Sequence, residues 1–159
     1  MVRLGNDGSE MEIELVTPVH SLAQHIDAEA SSVSVARADA RDALENAGIG
    51  RELVDDTLLV ATELLANAVE HAPEGLIVFR MDVALGRWIL VEVECAGSMD
   101  LLPELPNWGP DEPLAPRGRG LAIVDALSDS VAFSDVEGRL RIAALRFVGV
   151  APPAAAAAG

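Results

Sequence analysis

Between Arg51 and His71 the chain is apolar almost all the way round a helix, and this stretch limits the possible folds more than any other. Val54, Leu58, Ala61, Leu65 and Ala68 recur at helical spacing, and Leu53, Val60, Leu64 and Val69 widen that stripe until little solvent-facing arc is left. Such a helix must be buried, so the rest of the chain has to supply layers around it. Glu63, Asn67 and His71 interrupt the pattern. They fall four apart, and each step of four turns a helix only about 40° past a full turn, so all three look out along one narrow strip. Burying a carboxylate and an amide without partners is costly. The strip therefore reads as the lining of a pocket, satisfied by a ligand, a metal or water. His71 has a plainer reading too: it stands just before Ala72-Pro73, where the helix should stop, and a histidine in a last turn interacts favourably with the helix dipole.

A chain of 159 residues is one domain by default. Half of its residues are hydrophobic but only 3% are aromatic, so the core must be built from Ala, Val, Leu and Ile. With 26 acidic residues against 11 basic ones the net charge is -15, which repels nucleic acid and anionic membrane and suits a basic protein partner. Direct nucleic-acid binding is disfavoured. Cys95 is the one cysteine and the histidines are scattered at positions 20, 25 and 71, so neither a disulfide framework nor a zinc site is expected. The first residues lack the apolar core of a signal peptide, and no run of about 18 uncharged apolar residues occurs. A cytoplasmic protein is the expectation.

Residues 1–10 are polar and read as a flexible N-terminal arm. Met11, Ile13 and Leu15 alternate with Glu12 and Glu14 as a short strand would, and Leu22 to Ala28 reads as another. Ser31-Ser32 offers a helix cap, followed by Val33, Ala36, Ala40, Ala43, Leu44 and Ala47 at helical spacing and Gly48 in the stopping position. After the central helix, Leu76–Leu85 and Trp88–Cys95 flank Gly86-Arg87 as a β-hairpin. From 96 to 119 periodicity vanishes and five prolines punctuate an acidic segment, which reads as a lid or binding loop. Helical spacing resumes through Leu121, Val124 and Leu127, and two final strands, about Ser130–Val136 and Arg139–Val148, meet at Glu137-Gly138. Residues 151–159, mostly Pro and Ala, read as a disordered tail. The order predicts an α/β (α+β) two-layer sandwich: a mixed, largely antiparallel sheet with helices on one face and the other face left to solvent or a partner.

Two elements carry potential chemistry. Gly118-Arg119-Gly120 stands at a helix start, where glycines let backbone N–H groups approach an anion, the helix dipole favours negative charge and Arg119 adds a forked donor for phosphate. A Gly-x-Gly also marks many plain turns. Asn67 can hold magnesium through its amide oxygen, since that ion usually takes few protein ligands. Glu63, one turn away, can accept a proton from a hydroxyl or water attacking a terminal phosphate. Together these groups describe phosphoryl transfer from a nucleotide.

Glu63-Leu-Leu-Ala-Asn67-Ala-Val-Glu-His71, a strand ending near Cys95-Ala-Gly97, and Gly118-Arg-Gly-Leu121 resemble, in order and spacing, the motifs of the ATPase superfamily shared by gyrase B, histidine kinases, MutL and the heat-shock chaperone. Ser34-Val-Ala-Arg37 and Gly118-Arg-Gly-Leu-Ala-Ile-Val-Asp-Ala-Leu127 are similar to its stand-alone actinobacterial branch, the anti-sigma-factor serine kinases. The resemblance implies a Bergerat-type ATP-binding fold over 11–150 with a lid at 96–119, and ATP and Mg2+ as cofactors. It also implies a sigma factor or anti-anti-sigma protein as partner, a possible homodimer and a part in transcription regulation. Glu63 would be the general base and Asn67 the magnesium ligand. His71, Cys95, Gly97, Gly118, Arg119, Gly120 and Leu121 would complete the nucleotide site, with Gly97 under the adenine. Members of the family generally carry an aspartate where this chain has Cys95, and it accepts a hydrogen bond from the adenine amine. A thiol is a weak partner for that amine, and Glu94 faces the other side of the strand. Two functions follow: an ATP-binding anti-sigma-type regulator that phosphorylates a partner serine, or a partner-sequestering module of the same fold with weakened or lost nucleotide binding.

Overall fold

The structure, a computed structural model, describes residues 18–72, 75–97 and 119–149. In chain order its elements are β1 (His20–Asp27), α1 (Ala30–Asn46), α2 (Arg51–His71), β2 (Leu76–Ala84), β3 (Trp88–Ala96), α3 (Arg119–Leu127), β4 (Ser130–Val136) and β5 (Arg139–Phe147). The expected arm at 1–10, the strand at 11–15, nearly all of the loop at 96–119 and the tail at 151–159 lie outside the described residues.

α2 has the bounds its apolar pattern predicts, with Glu52 in the first turn and His71 in the last, each complementing the helix dipole. Val54, Leu58, Ala61, Leu64 and Leu65 are buried, and full burial of a leucine contributes about 1.5–3 kcal/mol. α1 departs from expectation at its start. Its N-cap is Glu29, without a side-chain cap, rather than a serine. The Glu29 carbonyl accepts from the Ser32 and Val33 N–H groups at 3.1 and 3.3 Å, so the first turn closes through the backbone. The far end stops at Gly48 as predicted. Gly48 takes φ 71°, its N–H donates to Glu45 O, and the Ile49 N–H donates to Leu44 O, the paired bonds of a Schellman motif.

The strands form one sheet in the order β1-β2-β3-β5-β4. The expected largely antiparallel sheet is found, without the parallel pairing that a mixed sheet would add: every hydrogen-bonded pair of described strands is antiparallel. The connections explain why. α1 and α2 run up and back, so β2 begins opposite the end of β1, with Leu76 beside Asp27. α3 crosses the sheet once, so β4 runs in the direction of β3, but β5 lies between them and is antiparallel to both.

Alternation along the strands separates two faces. Ile77, Phe79, Met81 and Val83 of β2, Ile89, Val91, Val93 and Cys95 of β3, and Leu140, Ile142 and Ala144 of β5 join α1, α2 and α3 in the main core. This is the expected two-layer sandwich, with a core of Ala, Val, Leu and Ile and little aromatic content. Of the described helices, none is long and apolar enough to cross a membrane.

Candidate functional site

Glu63 and Asn67 lie one turn apart on α2, both half-buried, while Leu64, Leu65 and Ala68 beside them are sunk in the core. Polar groups therefore emerge from a helix whose other sides are fixed by packing. α3 comes to meet them. A Cβ placed on Gly120 would stand 2.6 Å from Glu63 Oε2 and 3.4–3.5 Å from the two amide atoms of Asn67. Any other residue at 120 would displace the carboxylate, so glycine is required by this approach. Leu121 and Val124 anchor the same helix in the core. The first N–H groups of a helix lack intrahelical partners, and the first turn of α3 holds no acidic residue to neutralise them. A carboxylate, a carboxamide and a helix start therefore share one site.

The Asn67 carboxamide is incompletely satisfied. Its Nδ2 is buried with no hydrogen-bond partner among the described residues, and such a vacancy normally costs about 1–3 kcal/mol. Turning the amide over exchanges oxygen and nitrogen, so the same position can face a cation as well as an acceptor. No group of three or more His, Cys, Asp or Glu side chains poised for a metal occurs among the described residues. A magnesium ion held by one amide oxygen and phosphate oxygens fits that donor set, whereas a transition-metal cage does not.

The other predicted site residues are placed as follows. Cys95 faces the core near the end of β3, beside Leu140 of β5, and is buried. Burial pushes its thiol above the ordinary range, with Arg139 pulling down and Glu94 pushing up. Gly97 follows at φ 155°, a backbone that L side chains rarely adopt. Arg119 opens α3, and Gly118 lies outside the described residues. His71 is exposed in the last turn of α2.

On the opposite face of β3 Glu94 is held by arginines, as the strand alternation requires. Arg139 Nε donates to Oε1 at 2.8 Å, Arg141 donates to Oε2 at 2.9 Å, and Arg80 stands 3.7 Å away. Burial alone would raise the Glu94 carboxyl, but hydrogen bonds from Arg141 and Arg139 and their charges hold it below the usual carboxylate range. Its neighbour Glu92 goes the other way: burial raises it despite the nearby charges of Arg141 and Arg80. Arg139 also donates to Leu76 O at 2.6 Å, tying β5 to β2 across the end of β3 that carries Cys95 and Gly97. Sequence reading missed this clamp. Its signal, Glu92 and Glu94 against Arg139 and Arg141 at alternate positions, becomes legible only with the strand register.

Residues 26–144, well over half of the chain, match the family model of the histidine kinase-like ATPase domain. Among solved structures the fold is similar to a chain in the crystal structure of the RsbU and RsbW domains of Rv1364c from Mycobacterium tuberculosis, with a TM-score of 0.59 and 22% identity. The similarity covers 80% of this chain and 32% of that one, so this chain spans about a third of its length. A search of curated proteins found no match.

Proposed function

The chain belongs to the histidine kinase-like ATPase family, and from that premise we propose that it binds Mg·ATP at the Glu63–Asn67–Gly120 site and transfers the terminal phosphoryl group to a serine of a regulatory partner of the anti-sigma type. The observation that carries the proposal is the approach of Gly120 to Glu63 Oε2 and the Asn67 amide. It brings a carboxylate, a carboxamide and the start of a helix around one volume, and that supports the reading.

The residues then have separable tasks. The N–H groups at the start of α3, which lack intrahelical partners, favour the phosphates. Asn67 would hold magnesium, which when bound would supply positive charge to the phosphate oxygens. Glu63 takes the proton as the serine oxygen bonds to the terminal phosphorus and the bond from that phosphorus to the ADP oxygen breaks. The RsbW domain named in the similar structure and the net charge of -15 support a protein partner, with a basic surface, in the sigma-factor and anti-anti-sigma class.

Cys95 favours a second reading. A buried, neutral thiol stands where the family generally has an adenine-binding carboxylate, which suits a module that sequesters its partner with weakened nucleotide binding. Glu63→Gln tests the first reading because it keeps the shape of the side chain and removes the base. Expected is Mg·ATP affinity within a few-fold of the parent and turnover reduced by about 10²–10⁴. Unchanged turnover would remove Glu63 from the chemistry.

A further inference from the structure

The face of the sheet turned away from the helices divides into two halves. Towards Trp88 it is apolar, with Ala84, Leu90, Ala143 and Leu145 in one buried cluster with the indole. Towards Gly97 it is charged. Arg80 of β2, Glu92 and Glu94 of β3, and Arg139 and Arg141 of β5 all stand on this half, because Arg80 pairs with Glu92, Glu94 with Arg141 and Ala96 with Arg139. The chain has only 11 basic residues and a net charge of -15, so three arginines gathered at one place run against the character of the rest.

Glu94 does not use them up. Its oxygens accept from Arg139 Nε at 2.8 Å and from Arg141 at 2.9 Å, while Arg80 reaches it only at 3.7 Å. Arg139 also donates to the carbonyls of Leu76 and Glu94, and Arg80 makes no hydrogen bond among the described residues. Each guanidinium carries five N–H donors, so most of the donors in the cluster stay open. Their side chains keep 38% (Arg80), 31% (Arg139) and 29% (Arg141) of their surface in water. Three positive charges against one negative leave a surplus of two around Glu94. Glu92 is the next carboxylate on this half, and it makes no ion pair with any of the three, so it reduces the surplus only through space.

We infer that Arg80, Arg139 and Arg141 form a binding site for the phosphate of a phosphoserine on a protein partner, with Glu94 as the hub that holds the guanidiniums in place. A phosphoserine carries a charge of about -1.5 to -2 at pH 7 and three acceptor oxygens, which matches a surplus of two charges and three forked donors. A carboxylate offers one charge and two oxygens, which a single fork satisfies. Asp27 and Asp82 stand on the same face beside the cluster, and the net charge of the chain repels any run of phosphates. A lone phosphate on a protein segment is therefore accepted where nucleic acid or an anionic membrane is not. The site lies on the other side of the sheet from Glu63 and Asn67, and it operates whether or not this chain itself transfers phosphate.

Proton–nitrogen NMR titration of the full chain with a short, otherwise uncharged peptide carrying one phosphoserine reads affinity and location together. Amides of residues 79–81, 93–95 and 139–142 should shift and saturate, and the same peptide with plain serine should shift none of them. Arg80→Gln removes the arginine that makes no hydrogen bond in the clamp, so the protein should stay folded and bind the phosphopeptide about tenfold or more weakly. Glu92→Gln removes the facing negative charge and should tighten binding several-fold. Absence of a saturable shift on the unmutated chain would overturn the proposal, as would shifts confined to 119–122 at the start of α3. A folded Arg80→Gln variant that binds like the parent, or a Glu92→Gln variant that binds more weakly, would overturn it too. Inorganic phosphate binding more tightly than the peptide would rule out a protein partner as the ligand, and an oligonucleotide that shifts the same amides would rule out selection of a lone phosphate.

Discussion

Asn67→Ala should leave the protein more stable while abolishing magnesium-dependent nucleotide binding. Removing a buried amide whose Nδ2 has no partner relieves a penalty of about 1–3 kcal/mol. Alanine also improves helix propensity within α2 by about 0.5 kcal/mol. Against this stands the lost packing of a small, half-buried side chain, about 1 kcal/mol. The net gain is about 1 kcal/mol, or about 2–4 °C in Tm for a chain of this size. Calorimetric melting with and without Mg·ATP reads both parts: the nucleotide-free Tm should rise, and the further rise that Mg·ATP confers on the parent should vanish. A nucleotide-free Tm lowered by several degrees would refute the reasoning, because it would make Asn67 a satisfied structural residue.

Gly120→Ala tests the approach of the two helices. The added methyl would meet Glu63 Oε2 at 2.6 Å, the far end of a flexible side chain, so Glu63 should swing aside with little change in Tm while turnover falls by about 10²-fold or more; unchanged turnover would show that the carboxylate position does not matter. Glu94→Gln should cost about 1–3 kcal/mol at pH 7, less than a fully buried pair because the arginines keep 29–38% of their side chains in water. Because the folded-state pKa of Glu94 is lowered, its contribution is present above the unfolded value and lost as pH falls through the folded one, so parent and variant should converge in denaturant melts below pH 4.5, and a constant gap would contradict the assignment.

The extent of α2 was legible because nine apolar positions leave one strip for Glu63, Asn67 and His71. The helix start at Gly118–Gly120 was legible from its glycines and the spacing that follows, yet nothing in periodicity says that Gly120 reaches Glu63. That contact depends on how α3 packs across α2. Periodicity also reports which face a strand residue takes and is silent on its neighbour. Glu94 and Cys95 could therefore be assigned to opposite faces in advance, while the arginines around Glu94 and the insertion of β5 between β3 and β4 could not. Trp88, Leu90 and Leu145 read as strand residues, but the burial of their face is a tertiary property. His71 lies on the same strip by spacing, and its exposure at the end of α2 is likewise a property of where the helix stops.

Calorimetric titration of Mg·ATP into the full chain tests the central claim most directly. One saturable site that disappears when EDTA removes the magnesium is the predicted result, as required by a site built on Asn67, Glu63 and the start of α3. Absence of saturable heat with Mg·ATP would contradict nucleotide-dependent phosphoryl transfer and leave the partner-sequestering module, with Cys95 as the residue that disabled the adenine site.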